Sequence, residues 1–434
     1  MAIIRKNAIE LFCGAGGTSL GFQLSGAYRI LLGMDFDPNA MATYCSNHEE
    51  TECLTGDITK ISPSSVASRI CGSDVDIIIG GPSCQGYSTI GKRIADDPRN
   101  SLYSQYLNYV DEFRPKWIVF ENVRGFIHSG KGRFFEAFKK SLAALGYSIA
   151  AGVLNAADYG VPQRRERVII VGTNTDLTPS LPKPTHEDPR CPVCSRPDKS
   201  NRIRSNVLPE ECPACKGTRL WHSKGMKPWV SLRDAIGDLP WLEDLSGTLD
   251  FVSYQQKAQG QYQKWIRGKS KGYTLHMAKA VSDYALSIIS NIPAGCGIRS
   301  IPENELPERF RIMRTVKGGK LRRDCTTLYG RLGWNMPSYT ITCYFGNVSS
   351  GAFTHPEVHR SLTLREAARL QSFPDSYLIT AKSAMRQIGN AVPPLLAKSI
   401  ADHIELIESG CNPLGLHTPD LSDVNESNQK ALFL

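Results

Sequence analysis

The sequence predicts an α/β protein built on a doubly wound, mostly parallel sheet, with a second, irregular domain set into the chain. Three observations lead there. Over residues 8–172, apolar runs of strand length alternate with segments of helical periodicity, the pattern of repeated strand–helix–strand units. Several of those runs are continuously apolar, such as Asp76-Ile-Ile-Ile-Gly80, as strands buried on both faces are. From Asn174 to about Gly330 the alternation dissolves into Pro, Gly and charge, and from Arg331 it recovers.

The elements follow in order. Ala8–Phe12 is a strand, and the helix Thr18–Leu24 begins after the glycines that end it. Arg29–Met34 is the second strand, followed by the helix Pro38–Asn47. A short third strand precedes Thr55-Gly-Asp-Ile-Thr59. Val75–Ile79 is the fourth, and Gly80, Gly81 and Pro82 end it and open a loop. The helix Leu102–Phe113, the strand Lys116–Phe120, the helix Phe134–Leu145 and the strands Tyr147–Leu154 and Arg167–Val171 complete the first part. After the gap, Leu364–Gln371 and Pro394–Ile407 read as helices, the latter after a Pro-Pro start. The expected organisation is residues 1–173 and 331–408 as one domain, 174–330 as the second, and 409–434 as a polar tail. The chain shows no internal repeat.

Composition narrows the class. The 434 residues, 41% hydrophobic and 21% charged, suit a soluble globular protein. No apolar run approaches the ~20 residues of a membrane span, and the start lacks the apolar core of a signal peptide. Thirteen cysteines, an odd number in a long chain, point to a reducing compartment, hence the cytoplasm, rather than to a disulfide scaffold. The net charge of +9 is carried entirely by residues 174–330, with 25 Lys and Arg against 16 Asp and Glu; the rest of the chain is neutral. A neutral scaffold carrying a basic module suggests a polyanion partner, although a solvated surface would read the same way.

The chemistry-bearing residues sit where strands end. In open α/β sheets ligands bind at the carboxyl ends of the strands. Glu10-Leu-Phe-Cys-Gly-Ala-Gly-Gly-Thr-Ser follows the first strand, Met34-Asp-Phe-Asp37 ends the second, and Asp57 follows the third. The glycines allow a tight turn and close approach of backbone to a ligand at a helix N-terminus. A carboxylate at the second strand's end is where nucleotide-binding sheets grip ribose. Gly80-Gly-Pro-Ser-Cys-Gln-Gly-Tyr-Ser88 follows the fourth strand. On its loop, Cys84 reads either as a small buried residue or as a reactive thiol.

Together these segments resemble the DNA (cytosine carbon-5) methyltransferase family of bacterial type. Glu10–Gly17 is similar to its S-adenosylmethionine motif and Gly80–Ser88 to its catalytic cysteine loop. Asp97–Leu102, Glu121-Asn-Val123, Gln163-Arg-Arg-Glu-Arg167, Arg365–Pro374 and Gln387–Pro394 are similar to further signatures and stand in the family's order. The resemblance implies a Rossmann-like, S-adenosylmethionine-dependent fold and a methyl transfer to cytosine in duplex DNA through a Cys84 adduct and base flipping. It implies Cys84 as nucleophile, Glu121 at ring nitrogen 3, and Arg165 as donor to the cytosine carbonyl, with Arg164 and Arg167 left as ion-pair partners. For the cofactor it implies Phe12, Gly14, Gly16, Asp35, Phe36, Asp57, Ile58, Leu102, Asn390 and Val392. One departure stands out: the family usually has proline directly before the nucleophile, and here Ser83 takes that place with Pro82 one position earlier, so a φ restraint is lost.

By the same resemblance, residues 174–330 recognise the target. Arg309, Arg311, Arg314, Lys317, Lys320, Arg322 and Arg323 form a basic run suited to phosphate contacts, as do the interleaved aromatic and basic residues of Lys264–Tyr273. Pro337–Thr342 resembles a closing strand with Thr340 near the target. Within about residues 186–222, Cys191-Pro-Val-Cys194 and Cys212-Pro-Ala-Cys215 are two Cys-x2-Cys knuckles with 17 residues between them, the spacing of a structural zinc site. The expected setting is restriction–modification or phage defence, with a cognate nuclease acting on the same DNA, no membrane, and a monomer associated with the nucleoid. An RNA cytosine-5 methyltransferase, and a DNA-binding protein with a decayed active site, are the competing readings.

Overall fold

The computed structural model describes residues 5–82, 102–192, 194–195, 212, 215–216, 218–220, 223, 225–242, 247–306, 308 and 327–410. Cys84, the basic run from Arg309 to Arg323 and the tail from residue 411 onward lie outside them. The described chain forms two compact units, one of residues 1–159, 165–183 and 377–421, the other of 160–164, 184–376 and 422–434.

The first unit is a seven-stranded sheet. Its strands are β1 (Lys6–Leu11), β2 (Tyr28–Asp35), β3 (Glu52–Thr55), β4 (Ile77–Gly80), β5 (Trp117–Val123), β6 (Ser148–Asn155) and β7 (Glu166–Thr173). They lie in the order β3-β2-β1-β4-β5-β7-β6. The first five are parallel, and β7 runs antiparallel to both β5 and β6. The expected strands are all present, most shifted by one or two residues at their ends. The parallel register pairs Leu11 with Met34 and with Gly80, Asp35 with Thr55, and Gly80 with Phe120. All five carboxyl ends therefore reach the same rim, with the order reversing between β1 and β4.

Burial explains the strands. Ile9, Leu11, Leu32, Ile78, Ile118, Phe120, Val168 and Ile170 join one apolar cluster with Tyr106, Phe126 and Phe138. Fully burying each such side chain is worth ~1.5–3 kcal/mol. Helices α1 (Gly17–Ser25) and α2 (Pro38–Asn47) follow β1 and β2, and α4 (Leu102–Phe113) follows α3 (Pro63–Arg69). Asp37 caps α2 by accepting the Asn39 N–H. Gly21 lets α1 lie against the helix Pro394–Glu408, since a Cβ there would stand 2.5 Å from Ala397 Cβ.

The second unit has short elements: the helices Leu232–Ile236, Gln261–Arg267, Asp283–Ile289 and Leu364–Leu370, and two small strand pairs. Residues 331–376, grouped by motif with the sheet, pack within this unit. The reason is electrostatic. Arg369 Nη1 donates to Asp238 Oδ1 at 2.6 Å and its Nη2 to Asp375 Oδ2 at 2.6 Å, while Arg365 donates to Thr274 O at 3.0 Å. Arg267, expected at phosphates, is instead buried. It pairs with Asp238 and lies 3.8 Å over the Tyr254 ring. Among the described residues no helix is long and apolar enough to cross a membrane.

Candidate active site

The glycine turn after β1 is held by named contacts. Phe12, Gly14 and Gly16 all have positive φ, at 60°, 52° and 84°. A Cβ on Gly16 would stand 2.5 Å from His48 Nε2 and 2.6 Å from Tyr377 Oη, so both backbone and packing require glycine there. Asp35, the last residue of β2, holds the turn: one carboxylate oxygen accepts Gly14 N–H at 2.9 Å and the other Asp37 N–H at 2.9 Å. Burial raises its pKa, partly offset by those amides. Each oxygen keeps a lone pair for further donors. Phe36 follows with 68% of its surface exposed, an aromatic face open at the rim. Asp57 caps the next turn by accepting Thr59 N–H at 3.0 Å, and Ile58 beside it is buried. Beneath the glycines Glu10 is fully enclosed. It accepts Ser19 N–H at 3.0 Å and is bonded by Ser19 Oγ, and burial pushes its pKa up to about 7. Leu102 begins α4 and packs against the main core. Asn390 ends the helix Ala384–Asn390, and Val392 follows it, half-buried.

A second group gathers where β4 and β5 end. Glu121 lies on β5, and Arg167 Nε donates to its Oε1 at 2.9 Å. The antiparallel register sets Val123 opposite Arg167 and Ile169 opposite Glu121, so Glu121 and Arg167 are diagonal neighbours on one face. Gly81 allows the chain to pass this pair: a Cβ there would stand 2.8 Å from Glu121 Oε2. Asn122, buried, donates from Nδ2 to Pro82 O at 3.2 Å. That bond anchors the loop two residues before Cys84.

The arginine beside Glu121 is therefore Arg167, whereas the resemblance gives the cytosine carbonyl to Arg165. Arg165 is 1% exposed and donates from Nη2 to Gly389 O at 3.1 Å and Asn390 O at 3.5 Å, tying the chain before β7 to the helix Ala384–Asn390. The sequence reading set Arg167 aside and gave Asn122 no role. Two-residue alternation gives Arg165 and Arg167 the same parity, so only the β5–β7 register sets Arg167 diagonal to Glu121.

In the second unit, Thr340 Oγ1 donates to Arg164 O at 2.8 Å, and Arg164 N–H donates to Ser338 O at 2.8 Å. The expected closing strand is a single bridge between Gln163 and Ser338. Gln163 locks it: its Oε1 accepts Ile341 N–H at 2.8 Å, and its Nε2 donates to Leu370 O at 3.1 Å. Arg164 lies 4.2 Å over the Tyr339 ring. The four cysteines also meet there, all buried, with their Sγ atoms within 4.8 Å of one another.

A strand-end rim of this kind accompanies a match that decides the family. The profile described as "C-5 cytosine-specific DNA methylase" fits residues 6–406. The chain belongs to the C-5 cytosine-specific DNA methylase family. This methyltransferase is 32% identical to the type II methyltransferase M.AgeI of Thalassovita gelatinovora, over 92% of this chain and 99% of that one. It is also 32% identical to the type II methyltransferase M.DdeI of Desulfomicrobium norvegicum, over 92% and 88%. Among solved structures it is similar to a prophage-encoded protein of E. coli (TM-score 0.64, 22% identity, covering 93% and 99%). The S. pombe Dnmt2 methyltransferase is also similar (TM-score 0.54, 18% identity, covering 94% and 100%). These two likenesses concern the fold, a Rossmann-like methyltransferase sheet. The enzyme is a DNA (cytosine-5)-methyltransferase.

Proposed function

We propose that this methyltransferase transfers a methyl group from S-adenosylmethionine to carbon 5 of a cytosine flipped out of duplex DNA at a specific sequence, in a restriction–modification or phage-defence setting. The observation that carries the reading is the convergence at the β4–β5 ends. There a carboxylate meets an arginine, and Asn122 anchors the loop that leads to Cys84.

Carbon 5 of cytosine is too weak a nucleophile to take a methyl group unaided. The Cys84 thiolate adds to carbon 6, forming a sulfur–carbon bond and moving electron density toward ring nitrogen 3. Glu121 donates a proton or hydrogen bond there. Arg167, beside it, takes the role expected of Arg165 and stabilises charge on the carbonyl oxygen. S-adenosylmethionine, when bound, supplies an electrophilic methyl group. Loss of the carbon-5 proton and expulsion of the thiolate restore the ring. Carbon 6 is inaccessible in a stacked duplex, which is why the base must leave it.

For the cofactor, the exposed Phe36 ring suits an adenine face, Asp35 a ribose hydroxyl and Asp57 the adenine amino group. Phe12, Gly14, Gly16, Ile58, Leu102, Asn390 and Val392 complete the lining. The second unit acts as target-recognition domain, with Thr340 near the target and Arg309–Arg323 on phosphates. The zinc expected at the four cysteines takes no part in these steps.

The test is a duplex carrying 5-fluorocytosine at the target, with S-adenosylmethionine present. Fluorine cannot leave as a proton, so the wild type is expected to be trapped as a covalent adduct, and Cys84→Ser to bind the duplex without trapping. An adduct with Cys84→Ser, or methyl transfer to RNA in place of DNA, overturns the reading.

A further inference from the structure

We infer that Cys191, Cys194, Cys212 and Cys215 form a closed structural site for one zinc ion, outside the methyl-transfer chemistry and independent of it. The inference stands on four observations in the second unit.

The first is sulfur geometry. Cys191 Sγ lies 3.6 Å from Cys212 Sγ, Cys194 Sγ lies 3.4 Å from Cys215 Sγ, and all four fall within 4.8 Å of one another. Four sulfurs at ~2.3 Å from a tetrahedral zinc ion stand ~3.8 Å apart. The two shortest separations lie within a few tenths of an ångström of that edge, and the four cysteines are free rather than bridged.

The second is seclusion. The four side chains are 0% to 6% exposed and form a buried cluster of their own, containing no other apolar side chain among the described residues. Four thiols gathered in one small cluster bury little apolar area and make poor hydrogen bonds. They gain much more as thiolates sharing a cation, and a four-sulfur set leaves no position for water.

The third is the backbone of the knuckles. Ser195 N–H donates to Cys191 O at 3.0 Å and Lys216 N–H to Cys212 O at 2.8 Å, so both Cys-Pro-x-Cys turns close in the same way. After the second, Lys216 and Arg219 adopt positive φ of 49° and 60°. Non-glycine residues hold that conformation only when their surroundings impose it.

The fourth is what the site closes. Cys191 N–H donates to Arg219 O at 2.8 Å, Arg190 bridges Leu220, and His186–Glu187 pairs with Lys227–Pro228. The cysteines thus join two stretches of chain, and the sequence between the knuckles, residues 195–211, holds four basic and three acidic residues and few large apolar ones. Such a segment lacks the area to fold by burial, and a shared metal supplies the closure instead. Methyl transfer moves no electrons through the protein, so a redox-inert ion serves. On binding, each thiol gives its proton to solvent as its sulfur joins the metal.

The experiment uses the untagged full-length chain. Elemental analysis is expected to find about one zinc per chain, released when a mercurial titrates the thiols. Cobalt(II) exchanged into the wild type is expected to give sulfur-to-cobalt charge-transfer bands and the intense ligand-field bands of a tetrahedral four-thiolate site. Cys194→Ser and Cys215→Ser are each expected to lose most of the zinc while S-adenosylmethionine binding persists. A wild-type chain without metal, one holding iron, or one with these cysteines as disulfides overturns the inference. The wild-type measurements decide it even if the variants fail to fold. A metal-free chain that still traps 5-fluorocytosine would sink the zinc site and leave the methyl-transfer reading intact.

Discussion

The two units handle charge in opposite ways. In the sheet unit, the interior is apolar from Ile9 to Ile170, and most charged candidates stand at strand ends. In the second unit, Arg365 and Arg369 are fully buried and meet Asp238 and Asp375. The helix carrying them is also capped internally: Glu366 accepts Thr363 N–H at 2.8 Å and pairs with Arg360 at 2.8 Å. Ion pairs of this kind gain little over an apolar core, because desolvation consumes most of the attraction. They do make the loss of any one partner costly. A sheet specified by apolar period can lend its rim to chemistry, whereas an irregular unit must spend its charged residues on holding itself together.

Arg369→Met is the sharpest way to break that comparison. Burial alone would lower the Arg369 pKa, but Asp375 and Asp238 more than offset it and hold it above the usual range. Removing the guanidinium takes a 2.6 Å partner from each of two buried carboxylates, leaving Asp238 to Arg267 and Asp375 to Arg365, for an expected loss of ~3–5 kcal/mol. Hydrogen exchange should accelerate in residues 231–239, 261–267 and 364–376, with β1, β4 and β5 still protected. Equal loss in both units, or none, would end the distinction.

Within the sheet unit, Arg165 and Arg167 are expected to divide the roles. Arg167→Gln is expected to lower kcat by about 100- to 1000-fold, or ~2.7–4 kcal/mol, with thermal unfolding near that of the wild type. Arg165→Gln should instead lower the melting temperature, because it frees the carbonyls of Gly389 and Asn390. If Arg165→Gln loses turnover at unchanged stability, the role first expected of it stands.

That pair also marks how far the sequence could be read. The strands were legible because Asp76–Gly80 and its counterparts bury both faces, and the rim was legible because the candidate residues follow strand ends in the sequence. Which of two nearby arginines faces Glu121 was not, because it depends on the β5–β7 register, a property of two strands far apart in the sequence. Arg267 misled for a related reason. Its setting among lysines suggested phosphate contact, and only the fold brings Asp238 to it. The closing strand at Thr340 reduced to one bridge because Gln163, from a distant motif, satisfies Ile341 N–H in place of a strand partner. The four cysteines needed no fold: metal spacing is local.

Glu10 tests the exception in the apolar unit. Its folded pKa, about 7, lies above its ordinary 4.5, so the folded state holds the proton more tightly than the unfolded chain. Its contribution to stability is complete below pH 4.5 and is lost as pH rises to about 7. The wild type should lose on the order of 3 kcal/mol from this group across that window. Glu10→Gln, which carries no titrating proton, should flatten that slope in denaturant unfolding. A slope unchanged by the substitution would mean that the cost of burying the charged Glu10 carboxylate is offset by contacts other than Ser19.

The smallest expected effect sharpens the comparison from the outside of the second unit. If that unit commits its buried arginines to structure, DNA must be met by arginines that the network leaves out. Arg322 and Arg323, in the basic run beyond the described residues, are the test. A side chain on a phosphate contributes by releasing a condensed counterion, which carries no sequence information. Replacing both by Ala should therefore weaken target and non-target duplexes alike and leave thermal stability unchanged. It should also flatten the slope of log affinity against log salt by about 2, at ~0.9 per phosphate contact. Fluorescence anisotropy across a salt series on both duplexes measures all of this. Loss confined to the target duplex would mean that these side chains read bases, and the division between buried structural arginines and phosphate-binding ones would have to be redrawn.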